Sequence, residues 1–185
     1  MEDKTIEKVD FSIEELETNY YECTFDKCNF SDKPIGRVIF EKCTFKECNL
    51  SLVKTSNTSW LDVLFTDCKM TGINFSLSNR FGLSVEFHNC LLSYALFTEM
   101  KLKGTRFIGC DLQNTDFMET DLSNAVFKDC DQPGESRFHY CTQLCFKSCC
   151  QPSEKSEVLP LRTGRVAYRI RNRSCRLTSP CITWE

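Results

Sequence analysis

Residues 85–127 read VEFHNCLLSYALFTEMKLKGTRFIGCDLQNTDFMETDLSNAVF, and this stretch decides the fold. Large apolar residues recur in it every five positions: Phe87, Leu92, Phe97, Leu102, Phe107, Leu112, Phe117, Leu122, Phe127. Two places before each stands a residue that is mostly small: Val85, Cys90, Ala95, Met100, Thr105, Cys110, Thr115, Thr120, Ala125. A polar or charged residue often lies between the two, as in Cys110-Asp111-Leu112 and Thr115-Asp116-Phe117. Neither a helix (3.6) nor a flat strand (2.0) has a period of five. A fixed short repeat is the mark of a solenoid and takes precedence over local propensity.

A second period gives the cross-section. Phe recurs every ten residues in this run, and Cys every twenty, at Cys90, Cys110 and Cys130. Upstream, twenty residues also separate Cys23 from Cys43, and Cys28 from Cys48 and Cys68. If four five-residue sides make one coil, residues twenty apart sit above one another. Phe87, Phe107 and Phe127 then form one ladder, with Phe97 and Phe117 on the opposite side. Leu92 with Leu112, and Leu102 with Leu122, fill the other two. Like stacks on like, which packs a narrow core well. Upstream the same centres are Phe25, Phe30, Ile35, Phe40, Phe45, Leu50, Thr55, Trp60, Phe65, Met70 and Phe75.

This pattern resembles the pentapeptide-repeat family, whose units read as a small residue, Asp or Asn, Leu or Phe, and two polar residues. The resemblance runs over about residues 20–131 and is closest in style to the bacterial fluoroquinolone-resistance (Qnr-like) members. It implies an all-β, right-handed quadrilateral parallel β-helix, here of about five to six coils with an irregular C-terminal tail. The four sides follow from the residues; the handedness comes from the family.

Composition shifts at Asp131. Residues 1–131 carry 14 Lys+Arg against 22 Asp+Glu, net −8, and residues 132–185 carry 9 against 4, net +5. Basic usage changes too, from 11 Lys and 3 Arg to 2 Lys and 7 Arg. Three segments are therefore expected: a cap over 1–19, the repeat body over 20–131, and a basic, Cys/Arg-rich, poorly ordered tail over 132–185. Val9-Asp10-Phe11 and Glu14-Glu15-Leu16 imitate repeat units, out of phase with those downstream. The chain carries 14 cysteines, and the N-terminus lacks the apolar run of a signal peptide. Cys23, Cys28, Cys43, Cys48, Cys68, Cys90, Cys110 and Cys130 all fall on the small position. They read as small apolar side chains, reduced and inward-facing, in a cytoplasmic protein.

Three places break the pattern. Around Ser31-Asp32-Lys33-Pro34-Ile35-Gly36, a Lys at the small position and the Pro and Gly predict a corner or short loop. Thr55 beside Trp60 predicts a bulged wall. Phe75 to Phe87 spans twelve residues, two more than two units, so an insertion is expected near Asn79-Arg80-Phe81-Gly82. A comparable Asn-x-Phe-Gly element precedes the second run of coils in fluoroquinolone-resistance members. It reads either as a bulge that absorbs the register change or as a partner-contact loop, and the bulge is preferred.

After Asp131 the repeat stops: Gln132 stands where Leu is due, followed by Pro133-Gly134. Residues 131–138, DQPGESRF, can be back-translated and read one nucleotide downstream as TNLEKADF, which restores the repeat. The tail is accordingly expected to be a frameshifted reading that adds no further coils. The resemblance implies a dimer formed through a C-terminal helix, and nothing after Gln132 carries that pattern.

The sequence offers little support for catalysis. Cys141, Cys145, Cys149 and Cys150 with His139 lack the paired C-x₂₋₄-C spacing of a zinc knuckle, and Cys175 and Cys181 do not supply it. His88 follows a core Phe on an outward position. No phosphate-cradling glycine loop or nucleophile elbow is present. No enzyme, cofactor, metal site or membrane contact is expected. Arg162, Arg165, Arg169, Arg171, Arg173 and Arg176 offer phosphate contacts but no aromatic platform, and the repeat body itself should not bind nucleic acid directly. The family resemblance implies a DNA mimic that occupies DNA gyrase or topoisomerase IV and protects it from quinolones. About five and a half coils at ~4.8 Å rise give a rod of roughly 26 Å. Duplex of that length carries about 15 charges, so a body of net −8 has about half the charge density. The alternative is an interaction scaffold with an unknown partner, inactive for topoisomerase if the altered C-terminus matters.

Overall fold

The computed structural model describes residues 1–131 together with the backbone of residues 158–160 and 166–168. In chain order the strands are β1 (Thr5–Glu7), β2 (Asn19–Tyr21), β3 (Thr24–Asp26), β4 (Ile39–Glu41), β5 (Thr44–Lys46), β6 (Ser59–Leu61), β7 (Val63–Thr66), β8 (Val85–His88), β9 (Arg106–Ile108) and β10 (Val126–Lys128), followed by β11 (Val158–Pro160) and β12 (Val166–Tyr168). The order β1-β3-β5-β7-β8-β9-β10 makes one seven-stranded parallel ladder, and β2-β4-β6 makes a second, shorter one. Two further ladders are runs of single parallel bridges: Asp10, Asn29, Asn49, Lys69, Leu91, Asp111, Asp131, and Pro34, Lys54, Asn74, Leu96, Asp116. The chain is thus an all-strand, four-sided parallel β-solenoid of about six turns.

Register follows the sequence spacing. Phe25 pairs with Phe45, Phe45 with Phe65, Phe87 with Phe107 and Phe107 with Phe127, each twenty residues on. Across the insertion Phe65 pairs with Phe87, twenty-two on. In the first coil Ile6 pairs with Phe25, nineteen on. The segment expected as a cap is therefore itself wound as a coil one residue short, which accounts for its shifted phase. Its Phe11 is buried and stacks on Phe30 at 4.7 Å.

The core is a set of stacked columns. Phe25, Phe45, Phe65, Phe87, Phe107 and Phe127 stack near-parallel at centroid separations of 4.6–5.3 Å. Phe75, Phe97 and Phe117 form a second column opposite, meeting the first edge to face. Phe30, Leu50, Leu92 and Leu112 line the third side, and Phe40, Leu102 and Leu122 the fourth; all are buried. Stacks along the axis and T-contacts across it are the two arrangements that aromatic quadrupoles favour.

Of two expected irregularities, the first is met as corners and the second is absent. Ser31-Asp32 and Gly36-Arg37 turn as corners, and between them Pro34 bridges Lys54 in register with Ile35 buried, so no extra loop is inserted. A single bridge needs no three-residue ladder of N–H donors, so Pro is tolerated there. Lys33, which fits the inward small position poorly, reaches back to donate to the Glu14 carbonyl at 2.8 Å. Trp60 stacks on Phe40 at 4.9 Å with β6 regularly paired to β4, and the wall does not bulge. Thr55, the next centre back in the same coil, is small and leaves room for the indole.

Corners obey a rule invisible in composition. The residue two after a centre has positive φ, except Leu77 after Phe75: Lys27, Asp32, Arg37, Lys42, Glu47, Leu52, Asn57, Asp62, Asp67 and Gly72 in the first half, and Asn89, Tyr94, Glu99, Gly104, Gly109, Asn114, Glu119, Asn124 and Asp129 in the second. For non-glycine residues this left-handed conformation costs about 1 kcal/mol each. The same residue's N–H donates to the next coil, for example Lys27 to Lys46 O and Glu47 to Thr66 O, and these bonds offset the cost. The polar residue before the centre also has a physical reason. Its side chain accepts the N–H two residues on, as Asn29 does from Ser31, Asp111 from Gln113 and Asp116 from Met118. Where Thr takes that place, as at Thr24 and Thr44, the side lengthens into a three-residue strand.

The eight cysteines of residues 1–131 are free; seven are buried, and Cys130 is partly so. Cys28, Cys48, Cys68, Cys90, Cys110 and Cys130 form one column, each thiol donating to a carbonyl of the coil below at 3.3–3.6 Å. Cys23 and Cys43 start a second. Burial pushes the Cys43 thiol up to about 11, and the neighbouring Cys48 thiol, with burial, pushes Cys28 up as well. Such thiols are protonated and inert at neutral pH. A raised folded-state value stabilises the fold below the unfolded thiol value near 9, and that contribution disappears as pH rises through about 11. Denaturant midpoints should fall between those pH values; a flat profile would show that the thiols do not titrate late.

The tail pair differs in kind. β11 and β12 pair antiparallel, whereas every other strand pairing among the described residues is parallel. They form a short two-stranded sheet that no sequence period announced. The other expectations for the tail, including Cys141, Cys145, Cys149, Cys150, Cys175, Cys181, His139 and the arginines, lie outside the described residues. The last bridge of the solenoid joins Asp111 to Asp131.

Candidate interaction surface

The two-residue insertion is absorbed in one place. Phe75–Leu77 turn as a short 3₁₀ segment whose Asn74 cap accepts from Ser76 N. Asn79 N then donates to Thr58 O, and Ser84 N to Trp60 O, so both ends of residues 79–84 are tied to the coil below. Asn79 Nδ2 also donates to Ser59 Oγ, and its Oδ1 accepts from Phe81 N. Trp60 Nε1 reaches Ser78 Oγ at 3.1 Å. The β2-β4-β6 ladder ends at β6, and this side resumes only at the Lys101–Asp121 bridge.

The loop holds an aromatic ring in solvent. Phe81 is 87% exposed, and Leu77 is half exposed. Arg80 pairs with Glu99 at 3.3 Å and Gly82 takes φ +68°, which lets the chain turn back under Phe81. Asn79, Arg80, Phe81 and Gly82 lie in the segment that absorbs the register change, and they leave one side chain, Phe81, in solvent. An exposed Phe held by five hydrogen bonds at its base, counting the Trp60–Ser78 bond, loses little entropy when a partner covers it.

Elsewhere exposed apolar side chains such as Ile13, Leu52 and Tyr94 stand among charged and polar ones. Lys27–Glu47 and Lys42–Glu22 pair between successive corners at 3.6 and 3.2 Å, and both pairs are exposed. Pairs of this kind contribute about 0–1 kcal/mol each. His88 is half-buried, with Nε2 3.4 Å from Glu86 Oε2. No group of three or more His, Cys, Asp or Glu side chains among the described residues is placed to hold a metal ion. No described helix is long and apolar enough to cross a membrane.

A family model for a pentapeptide repeat region matches residues 18–80, and one for eight copies of the pentapeptide repeat matches residues 85–117. Between them they span more than half of the chain, and the gap at 81–84 falls on the insertion. The chain belongs to the pentapeptide-repeat family. Among solved structures, this pentapeptide-repeat protein is similar to trypsin-treated QnrB1, a plasmid-mediated fluoroquinolone resistance protein. That match has 23% identity over 75% of this chain and 80% of the other, with a TM-score of 0.35. It is also similar to Rfr23, a pentapeptide repeat protein from the cyanobacterium Cyanothece 51142, at 13% identity over 71% and 89% of the two chains, TM-score 0.33. HetL, a pentapeptide repeat protein involved in heterocyst differentiation regulation in Nostoc, matches at 11% identity over 71% and 84%, TM-score 0.26. No curated protein matches the chain.

Proposed function

We propose that this pentapeptide-repeat protein is a non-enzymatic, cytoplasmic binding rod that occupies the DNA-binding surface of DNA gyrase or topoisomerase IV and protects the enzyme from quinolones. The observation that carries this reading is an acidic exterior on a narrow, regularly stacked body. Carboxylates stand at corners on all sides, at Glu22, Asp32, Glu47, Asp62, Asp67, Glu99, Glu119 and Asp129. Duplex DNA likewise presents charge at regular intervals along a rod. In this reading residues 1–19 close one end and residues 20–131 form the binding body. A second reading rests on Phe81: a scaffold that binds another protein through the 79–82 loop.

Gyrase supercoiling with and without ciprofloxacin separates the two. Topoisomerase protection predicts that activity in the presence of drug rises with added protein, and that added NaCl weakens the effect because surface charge carries it. No rescue at saturating protein would reject that reading. Phe81→Ala should abolish rescue only if the loop is part of the same contact.

A further inference from the structure

The acidity of the rod is not uniform along its length. Residues 1–67 carry 8 Lys+Arg against 14 Asp+Glu, net −6, and residues 111–131 carry 1 against 6, net −5. Residues 68–110, the coils between them, carry 5 against 2, net +3. The corners change with the charge. Asp32, Glu47, Asp62 and Asp67 stand at corners below, and Glu119 and Asp129 above, whereas Gly72, Asn89, Tyr94, Gly104 and Gly109 turn the middle coils. Glu99 is the one corner carboxylate there, and Arg80 pairs with it. These coils are also rich in exposed apolar groups. Of the nine exposed large apolar side chains among the described residues, five lie between 77 and 96, and Phe81 is the most exposed.

Cations and ring come together on one side. Residues 79–84 lie one coil below 101–106, since Glu86 pairs with Arg106 and Arg80 reaches Glu99. The rung above the loop is Lys101-Leu102-Lys103, with Leu102 buried and both lysines exposed. Arg106 is exposed just beyond the Gly104 corner. No carboxylate occurs between residues 100 and 110. Those next to the cations on the ladders are engaged: Glu86, below Arg106, faces His88 at 3.4 Å, and Asp121, above Lys101, accepts from Ser123 N and Oγ. None of the three cations forms an ion pair among the described residues.

From this coincidence we propose that the middle coils dock an acidic segment of another protein. Phe81 packs against apolar side chains of that segment, and Lys101, Lys103 and Arg106 meet its carboxylates. This extends the scaffold reading of the 79–82 loop and does not rest on topoisomerase protection. Charge chooses among the occupants. The basic belt is about 10 Å deep along the rod, and acidic coils bound it on both sides. Nucleic acid carries its charge continuously, so a strand running along the rod leaves the belt and meets those coils. A second copy laid alongside in register brings belt against belt and acid against acid. A protein segment can end its acidic run where the belt ends, and the flanking carboxylates then fix its register.

Fluorescence anisotropy with the full chain tests this, using a labelled peptide in which glutamates flank two central leucines. Neither topoisomerase nor drug is present, so failure here and failure of drug rescue are separate results. The peptide should bind, and NaCl should weaken it. Phe81→Ala should weaken binding about tenfold, as loss of a central aromatic anchor does. Lys103→Glu should do the same, whereas Lys54→Glu, an equal charge change on another side, should alter it less than about twofold. All three positions are exposed, and circular dichroism confirms that the variants fold. Replacing the peptide's leucines by serine, or its glutamates by glutamine, should also abolish binding. No binding by wild type would overturn the proposal, as would binding indifferent to Phe81→Ala and Lys103→Glu. So would tighter binding of labelled oligothymidylate, which would make nucleic acid the occupant. Self-association abolished by Phe81→Ala would overturn it in favour of a second copy.

Discussion

Phe107→Ala should lower the unfolding free energy by about 3–5 kcal/mol, the cost of a large-to-small change in a closely packed core. Phe107 is fully buried, stacked on Phe87 at 5.1 Å and on Phe127 at 4.8 Å, and edge-on to Phe97 and Phe117. All four rings lose a partner at once. The backbone around the gap cannot close it, because each rung is fixed to its neighbours by the ladder from β8 through β9 to β10. Phe107→Leu should cost less, since it retains most of the volume. Urea titration of the three proteins gives the comparison. A loss for Phe107→Ala below about 1 kcal/mol would mean that the column is not packed as described.

The second large effect concerns the thiol column. Cys90→Leu should destabilise by about 1–3 kcal/mol through overpacking, whereas Cys90→Ser should cost about 1 kcal/mol or less. Cys90 is fully buried, with Cys68 and Cys110 one coil away on either side. It donates to Phe65 O at 3.6 Å and to His88 O at 3.3 Å. A serine hydroxyl can make the same donation; a leucine can neither donate nor fit. Equivalent small positions on other sides already use a hydroxyl, with Thr58 donating to Ile35 O at 2.7 Å and Thr115 to Leu92 O at 2.9 Å. Cysteine is thus one of several small donors suited to this site. If Cys90→Ser were as damaging as Cys90→Leu, the thiol would have a role that packing and hydrogen bonding do not supply.

The candidate surface was only partly legible. The two extra residues between Phe75 and Phe87 located the insertion by counting alone. Whether Phe81 pointed in or out was not countable, because an aromatic residue near the repeat's phase reads equally well as a core centre. Its exposure follows from where Asn79 and Ser84 find their hydrogen-bond partners, at Thr58 and Trp60, which lie about twenty residues back. Proline and glycine marked the corners at residues 31–32 and 36–37 but not the paired rung between them. The bulge expected at Trp60 was overridden by its stacking on Phe40.

By itself the sequence determined the four-sided coil, the identity of each column and the length of the rung, since a strict period of five fixes which residues can stack. It also located the end of the repeat at Asp131. Only the tertiary structure decided that residues 1–11 are wound into the first coil, that the corner residues take a left-handed conformation everywhere but at Leu77, and that Phe81 stands in solvent. These depend on hydrogen bonds and distances between residues about twenty apart, which no local pattern in the chain encodes.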